Sequence, residues 1–132
     1  MLKLTKKVEY ALIALQEMQL KDDDVVTNAK ELSDKFDISI SLLAKVLQQM
    51  ARHNIVEPIQ GPSGGYRLYK PLEQIQFDNF IEIIEGPIGI VDCLNVPGCS
   101  HTETCNIRVP IERINNMIKE IFSNMTLADI TK

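Results

Sequence analysis

No apolar run in this 132-residue chain approaches the roughly 20 residues a helix needs to cross a bilayer. The N-terminus has neither the apolar block nor the small-residue cleavage site of a secretory signal, so a cytoplasmic location without membrane association is expected. Internal repeats and low-complexity tracts are missing. No acid/base pair or nucleophile with its base stands out, and an enzyme is not expected. The glycine-rich stretch near residue 61 lacks the Lys-Ser/Thr ending and following helix of a phosphate-binding loop. Cysteine is scarce, and its odd count of 3 argues against a disulfide framework in a reducing compartment. Metal or redox chemistry is what remains for it.

Net positive charge is also lacking, since the formal charge is -4. Its distribution is uneven, however. Residues 29–70 carry a net +2 and residues 71–105 a net -6, with no Lys or Arg among the latter. A basic segment can therefore meet phosphates locally while the remainder keeps the chain soluble. The length, with 45% hydrophobic residues, suits one compact unit with at most an appendage.

All three cysteines fall within Cys93-Leu-Asn-Val-Pro-Gly-Cys99-Ser-His-Thr-Glu-Thr-Cys105. A polar loop with Pro97 and Gly98 between the first pair can fold back and direct three sulfurs at one centre. Thiolates are soft ligands that suit an iron–sulfur cluster or zinc. Three of them leave one coordination position open, the layout of a sensor. Spacing alone does not choose between the two guests.

Before this loop, Val8, Ala11, Leu12, Leu15 and Met18 recur at helical spacing over about residues 6–20. Thr27 or Asn28 can cap a second helix carrying Ala29, Leu32 and Phe36 on one face. Asp37-Ile38-Ser39 forms a turn, and a third helix buries Leu43, Val46, Leu47 and Met50. Its opposite face holds Ser41, Lys45, Gln48 and Arg52. Helix, tight turn and helix with a polar, basic outer surface is a helix-turn-helix, whose second helix enters the major groove. Ser39 and Ser41 stand at that helix's start, where short hydroxyls suit bases and phosphates.

Asn54–Gln60 reads as a strand, residues 61–65 as a tight tip and Tyr66–Tyr69 as the return strand. A hairpin directly behind a recognition helix is a wing. Its glycines, Gly64 among them, allow close approach to DNA, with Gln60, Ser63 and Arg67 able to reach the backbone or minor groove. Phe77, Phe80, Ile81 and Ile84 form a helical stripe ended by Gly86-Pro87. Beyond the cysteines, Ile107, Ile111, Ile114, Ile118, Ile121 and Met125 alternate spacings of four and three, a heptad seam that predicts a homodimer. A dimer would present two recognition helices to a palindromic double-stranded operator. The fold class is thus mainly α with a small β-hairpin: a winged helix-turn-helix over residues 1–75, then a ligand loop and a long C-terminal dimerisation helix over 76–132, packed as one unit.

These residues resemble the IscR/NsrR group of winged-helix bacterial regulators that carry iron–sulfur clusters. The resemblance spans nearly the whole chain. It rests on Leu4-Thr5-Lys6 with Tyr10-Ala11, on Ile38-Ser39-Ile40-Ser41, on residues 61–68, on Glu85-Gly86-Pro87 and on the triple-cysteine spacing. It implies a homodimer in which Cys93, Cys99 and Cys105 bind a two-iron or four-iron cluster whose state alters DNA binding. Some members place a histidine three residues after the last cysteine; Arg108 stands there in this chain. Others use a carboxylate on the first helix of the partner subunit, a position matched by Glu9. His101 is the competing fourth ligand. At Ala44 some members carry a glutamate, and at Gln60 an arginine, so operator preference is expected to differ while docking is retained. Zinc or a thiol–disulfide switch in the same loop is the main alternative, and a cluster-bearing electron carrier the remoter one.

Overall fold

The computed structural model describes residues 4–22, 24–62, 64–89 and 106–131. Helix α1 (Lys6–Leu20) is opened by Thr5, whose side chain accepts a hydrogen bond from the Val8 amide. It buries Val8, Ala11, Ala14, Leu15 and Met18, much as its apolar spacing predicts. Helix α2 (Ala29–Phe36) is capped by Asn28, which accepts from the Glu31 amide at 2.7 Å. Thr27, the other candidate cap, has a different role, described below.

Asp37 takes the left-handed conformation that lets the chain reverse, with φ 53°. Ile38 is buried in the corner, its amide bonded to the Ser33 carbonyl and its carbonyl receiving the Ser33 hydroxyl. Ser39 then caps helix α3 (Ile40–Arg52). That helix closes in a full Schellman motif. Asn54 adopts φ 58°, its amide bonds Ala51, and the next amide, of Ile55, bonds Met50. Asn54 therefore belongs to the helix end, and the strand predicted from residue 54 starts two residues later.

Strands β1 (Val56–Ile59) and β2 (Gly65–Leu68) pair antiparallel, with Val56 opposite Leu68 and Ile59 opposite Gly65. A third piece of backbone joins the hairpin. Thr27 and Tyr66 exchange both of their amide–carbonyl hydrogen bonds at 2.8 Å, which ties the wing to the segment between α1 and α2. This contact explains Gly65, because a Cβ there would lie 2.7 Å from the Thr27 carbonyl oxygen.

A 3-10 turn (Leu72–Gln74) leads into helix α4 (Phe77–Glu85), which ends at Gly86 with φ 94°. Helix α5 (Arg108–Ser123) packs along α4, where Phe77 and Phe122 meet edge to face at 5.0 Å. The short helix α6 (Leu127–Ile130) has a capping box and is bonded back to the start of α4 through Phe77 with Met125 and Leu127 with Ile75. One buried cluster takes in Leu15, Leu32, Leu47, Ile55, Phe80, Ile84 and Leu127, drawing on both the N-terminal and C-terminal parts of the chain.

The expected heptad seam divides. Phe122 and Met125 pack on the core, Ile111 and Ile118 are half-buried, and Ile107, Ile114 and Ile121 are exposed together with Met117. No helix among the described residues is long and apolar enough to cross a membrane.

The Thr27 tether gives a direct test. Gly65→Ala drives a methyl into backbone, so a loss of about 1–3 kcal/mol is expected. Urea unfolding followed by circular dichroism measures it, and unchanged stability would show that the tether yields freely.

Candidate nucleic-acid interface and its link to the cysteine loop

The core sets which face of α3 meets solvent. Leu43, Val46, Leu47 and Met50 are each fully buried, so Ser41, Lys45, Gln48 and Arg52 form an exposed row at spacings of four, three and four. Ser39 stands at the head of the row, its hydroxyl accepting from the Leu42 amide at 3.4 Å. On the neighbouring helices, Lys35 pairs with Glu17 and Lys21 with Glu31. Among the described residues, Lys45 and Arg52 have no such carboxylate. The positive charge of α3 is thus turned outward, where it can meet phosphate.

Beside this row stands the wing. Gln60 is exposed at the end of β1, and the Gly64 amide donates to the Gly61 carbonyl at 2.9 Å to close the tip. A Cβ at Gly64 would lie 2.6 Å from the Ile59 carbonyl oxygen, so the turn excludes any larger residue. Ser63 lies outside the described residues. Arg67 is directed to Glu57, its partner across the two strands, in an ion pair within the hairpin. The sequence offers Arg67 as a DNA contact without revealing this pairing with Glu57. The signal for the pair was cross-strand register, which needs the turn length to be known.

Cys93, Cys99, Cys105 and His101 fall outside the described residues. The two ends of their loop are defined. On one side, Ile88 follows the end of α4, and its carbonyl faces the Asn115 side-chain amide at 3.5 Å. On the other, Asn106 leads into α5. Asn115 is buried, lying eight residues along α5 from Ile107, so the two ends attach roughly 12 Å apart along that helix. Glu9 occupies the first turn of α1 and is half-exposed, with Lys6 beside it at 3.3 Å.

Near Glu9, a mainly apolar groove of about 460 Å³ opens between α1, the end of α4 and α5. Leu4, Val8, Ile81, Ile88, Ile118 and Ile121 supply its walls. It runs into the exposed Ile114, Met117 and Ile121 surface of α5.

At this junction Gln49 and Asn115 were not singled out from the sequence, and Thr5 and Glu85 entered only through the family resemblance. The Thr5 hydroxyl donates to Glu85 at 2.5 Å, joining the start of α1 to the end of α4. Gln49 donates to the carbonyls of Ile83 and Ile84 at 2.7 and 3.2 Å, joining α3 to that same end. Asn115 interrupts the apolar side of α5, and that interruption is a visible sequence signal.

Comparison with known proteins agrees with this architecture. The regulator NsrR of Geobacillus kaustophilus is 28% identical over 131 residues, covering 98% of this chain and 89% of its own. The regulator IscR of Erwinia tasmaniensis is 26% identical over 129 residues, covering 98% and 78%. The solved structure of CymR, the global cysteine regulator of B. subtilis, superposes with a TM-score of 0.76 at 27% identity, covering 99% of this chain and 97% of that one. The family model described as Rrf2, iron-dependent transcriptional regulator, matches residues 4–132. This winged-helix chain therefore belongs to the Rrf2 family of transcriptional regulators, which bind DNA and are not enzymes.

Proposed function

We propose that this protein is a homodimeric regulator of a palindromic operator whose DNA affinity follows the state of an iron–sulfur cluster. The observation that carries the reading is the place of the cysteine loop in the chain. Cys93, Cys99 and Cys105 recur every six residues between the end of α4, bonded to the recognition helix, and the start of α5. Three thiolates suit cluster iron, and the iron-dependent description of the family supports that choice over zinc. When bound, the cluster would supply a centre sensitive to oxygen, nitric oxide or iron supply.

Glu9 of the partner subunit is the proposed fourth ligand. Its ion pair with Lys6 is a surface pair of about 0.3–0.5 kcal/mol, which is readily exchanged. A carboxylate is a hard ligand for cluster iron and forms the bond easiest to break. Breaking it would release α1, which packs on α3.

Residues 1–75 read the DNA in this scheme, and residues 76–132 hold the loop and the dimer helix. Ser39, Ser41, Lys45, Gln48 and Arg52 meet the major groove. Gln60, Ser63, Gly64 and Arg67 lie at the wing, with Arg67 leaving Glu57 to reach phosphate. The exposed stripe of α5 and its adjoining groove support the homodimer, since burying such surface is the main driving force for association.

The deciding experiment is an anaerobic preparation analysed for visible absorption, iron and sulfide, then titrated with nitric oxide and oxygen while operator retention is followed. Colour and operator affinity should change together, and Glu9→Ala should weaken cluster retention. Colourless protein with one zinc, or with a reversible disulfide, would move the loop to the zinc or thiol-switch reading. For the DNA face, Lys45→Ala should lower affinity on every sequence and reduce the slope of log affinity against log salt by about 0.9 per phosphate contact removed. An unchanged slope would rule out that contact. For the dimer, Ile114→Lys with Ile121→Lys should give a folded monomer in sedimentation velocity; a dimer that persists would rule out this face.

A further inference from the structure

The last turn of α4 is where three parts of the protein meet. A helix leaves its final carbonyls without intrahelical donors. In α4, Gly86 serves the Glu82 carbonyl at 2.9 Å, while Ile83 and Ile84 are served from another helix by the Gln49 amide. Two carbonyl oxygens facing one side chain require a donor, so the Gln49 nitrogen faces them and not its oxygen. On the same turn, Glu85 accepts from Thr5 at the cap of α1. Gly86 follows with φ 94°, and the cysteine loop begins a few residues later.

Gln49 adjoins Gln48 in sequence and is one helical turn from Lys45 and Arg52. A displacement of the α4 terminus therefore acts on the recognition helix at a point level with its outward row. Elsewhere both helices give apolar side chains, Met50 from α3 and Phe80 and Ile84 from α4, to one core whose packing is non-directional, whereas the amide bridge holds one register.

From this geometry we infer that Gln49 is a positioning residue that carries the state of the cysteine loop to the recognition helix of the same protomer, through the last turn of α4. The inference deepens the cluster-controlled reading and rests on it for the identity of the signal. It adds an intrachain route beside the one through Glu9 of the partner subunit. The bridge itself can be tested without a cluster.

Gly86 offers a clean perturbation. A Cβ there meets nothing within 4 Å, so Gly86→Ala acts through its positive φ and not through a clash. In the metal-free 132-residue chain, amide hydrogen exchange is measured in α3. Gly86→Ala should reduce α3 protection at least fivefold. In the Gln49→Met background, which keeps length but removes the donor, the same change should have less than a twofold effect. Gln49→Lys, whose ammonium can still serve the carbonyls, should restore the fivefold response. Equal effects in all three backgrounds, or no effect of Gly86→Ala in the wild-type background, would overturn the coupling.

A second measurement compares operator affinity of cluster-loaded and cluster-free protein. Gln49→Met should shrink the ratio of the two at least fivefold, within the range of measured allosteric couplings, and Gln49→Lys should preserve it. A ratio unaffected by Gln49→Met would remove Gln49 from the route. A wild-type ratio of one would instead overturn the cluster-controlled reading, leaving the exchange measurement to decide the bridge.

Discussion

Burial of one face of α3 is the constraint from which the rest of the architecture follows. Leu43, Val46, Leu47 and Met50 have no solvent exposure, and each contributes on the order of 1.5–3 kcal/mol relative to being left in water. Helices α1, α2 and α4 supply the surroundings. Once that stripe is fixed inward, the helical repeat leaves no freedom in where Ser41, Lys45, Gln48 and Arg52 stand. Caps fix the two ends as well: Ser39 opens the helix, and the left-handed Asn54 closes it and turns Ile55 into the core. The outward surface of α3 is thus set by residues that never reach it.

Much of this was legible in the sequence because it depends on local pattern. Periodicity located α1, α3 and α4, Asn28 and Gly86-Pro87 were legible as the start of α2 and the end of α4, and the Gly-Pro-Ser-Gly-Gly tip with its flanking apolar residues announced the hairpin. Other features depend on contacts distant in sequence. Thr27 can serve as a cap by its chemistry, and only the return of β2 beside it makes it a strand partner. Arg67 reads as a phosphate contact, and only the hairpin register shows that Glu57 stands opposite it. Gln49 reads as one more polar residue on α3, because the carbonyls it serves are 34 and 35 positions away. The cysteines show the reverse balance: their regular spacing is plain in the sequence and suggests a shared ligand, while their arrangement lies outside the described residues.

Helix α5 carries two apolar surfaces with different fates. Phe122 and Met125 complete the protein's own core, whereas Ile107, Ile114, Met117 and Ile121 face outward. The regular four-and-three spacing concealed this division, because a heptad seam and an amphipathic core helix differ by only a small angle per turn. Asn115 marks the boundary, where a buried amide meets the carbonyl of Ile88 just before the cysteine loop.

The Thr27–Tyr66 pairing has a mechanical consequence. Two backbone hydrogen bonds and a glycine with no room for a side chain join the wing to the segment that feeds α2, and α2 is joined through a tight corner to α3. Wing and α3 are consequently linked like the two sides of a jaw, so that a push on one is passed to the other. In the proposed dimer, a signal that moves one such linked jaw against the other would be written in the spacing of the half-sites.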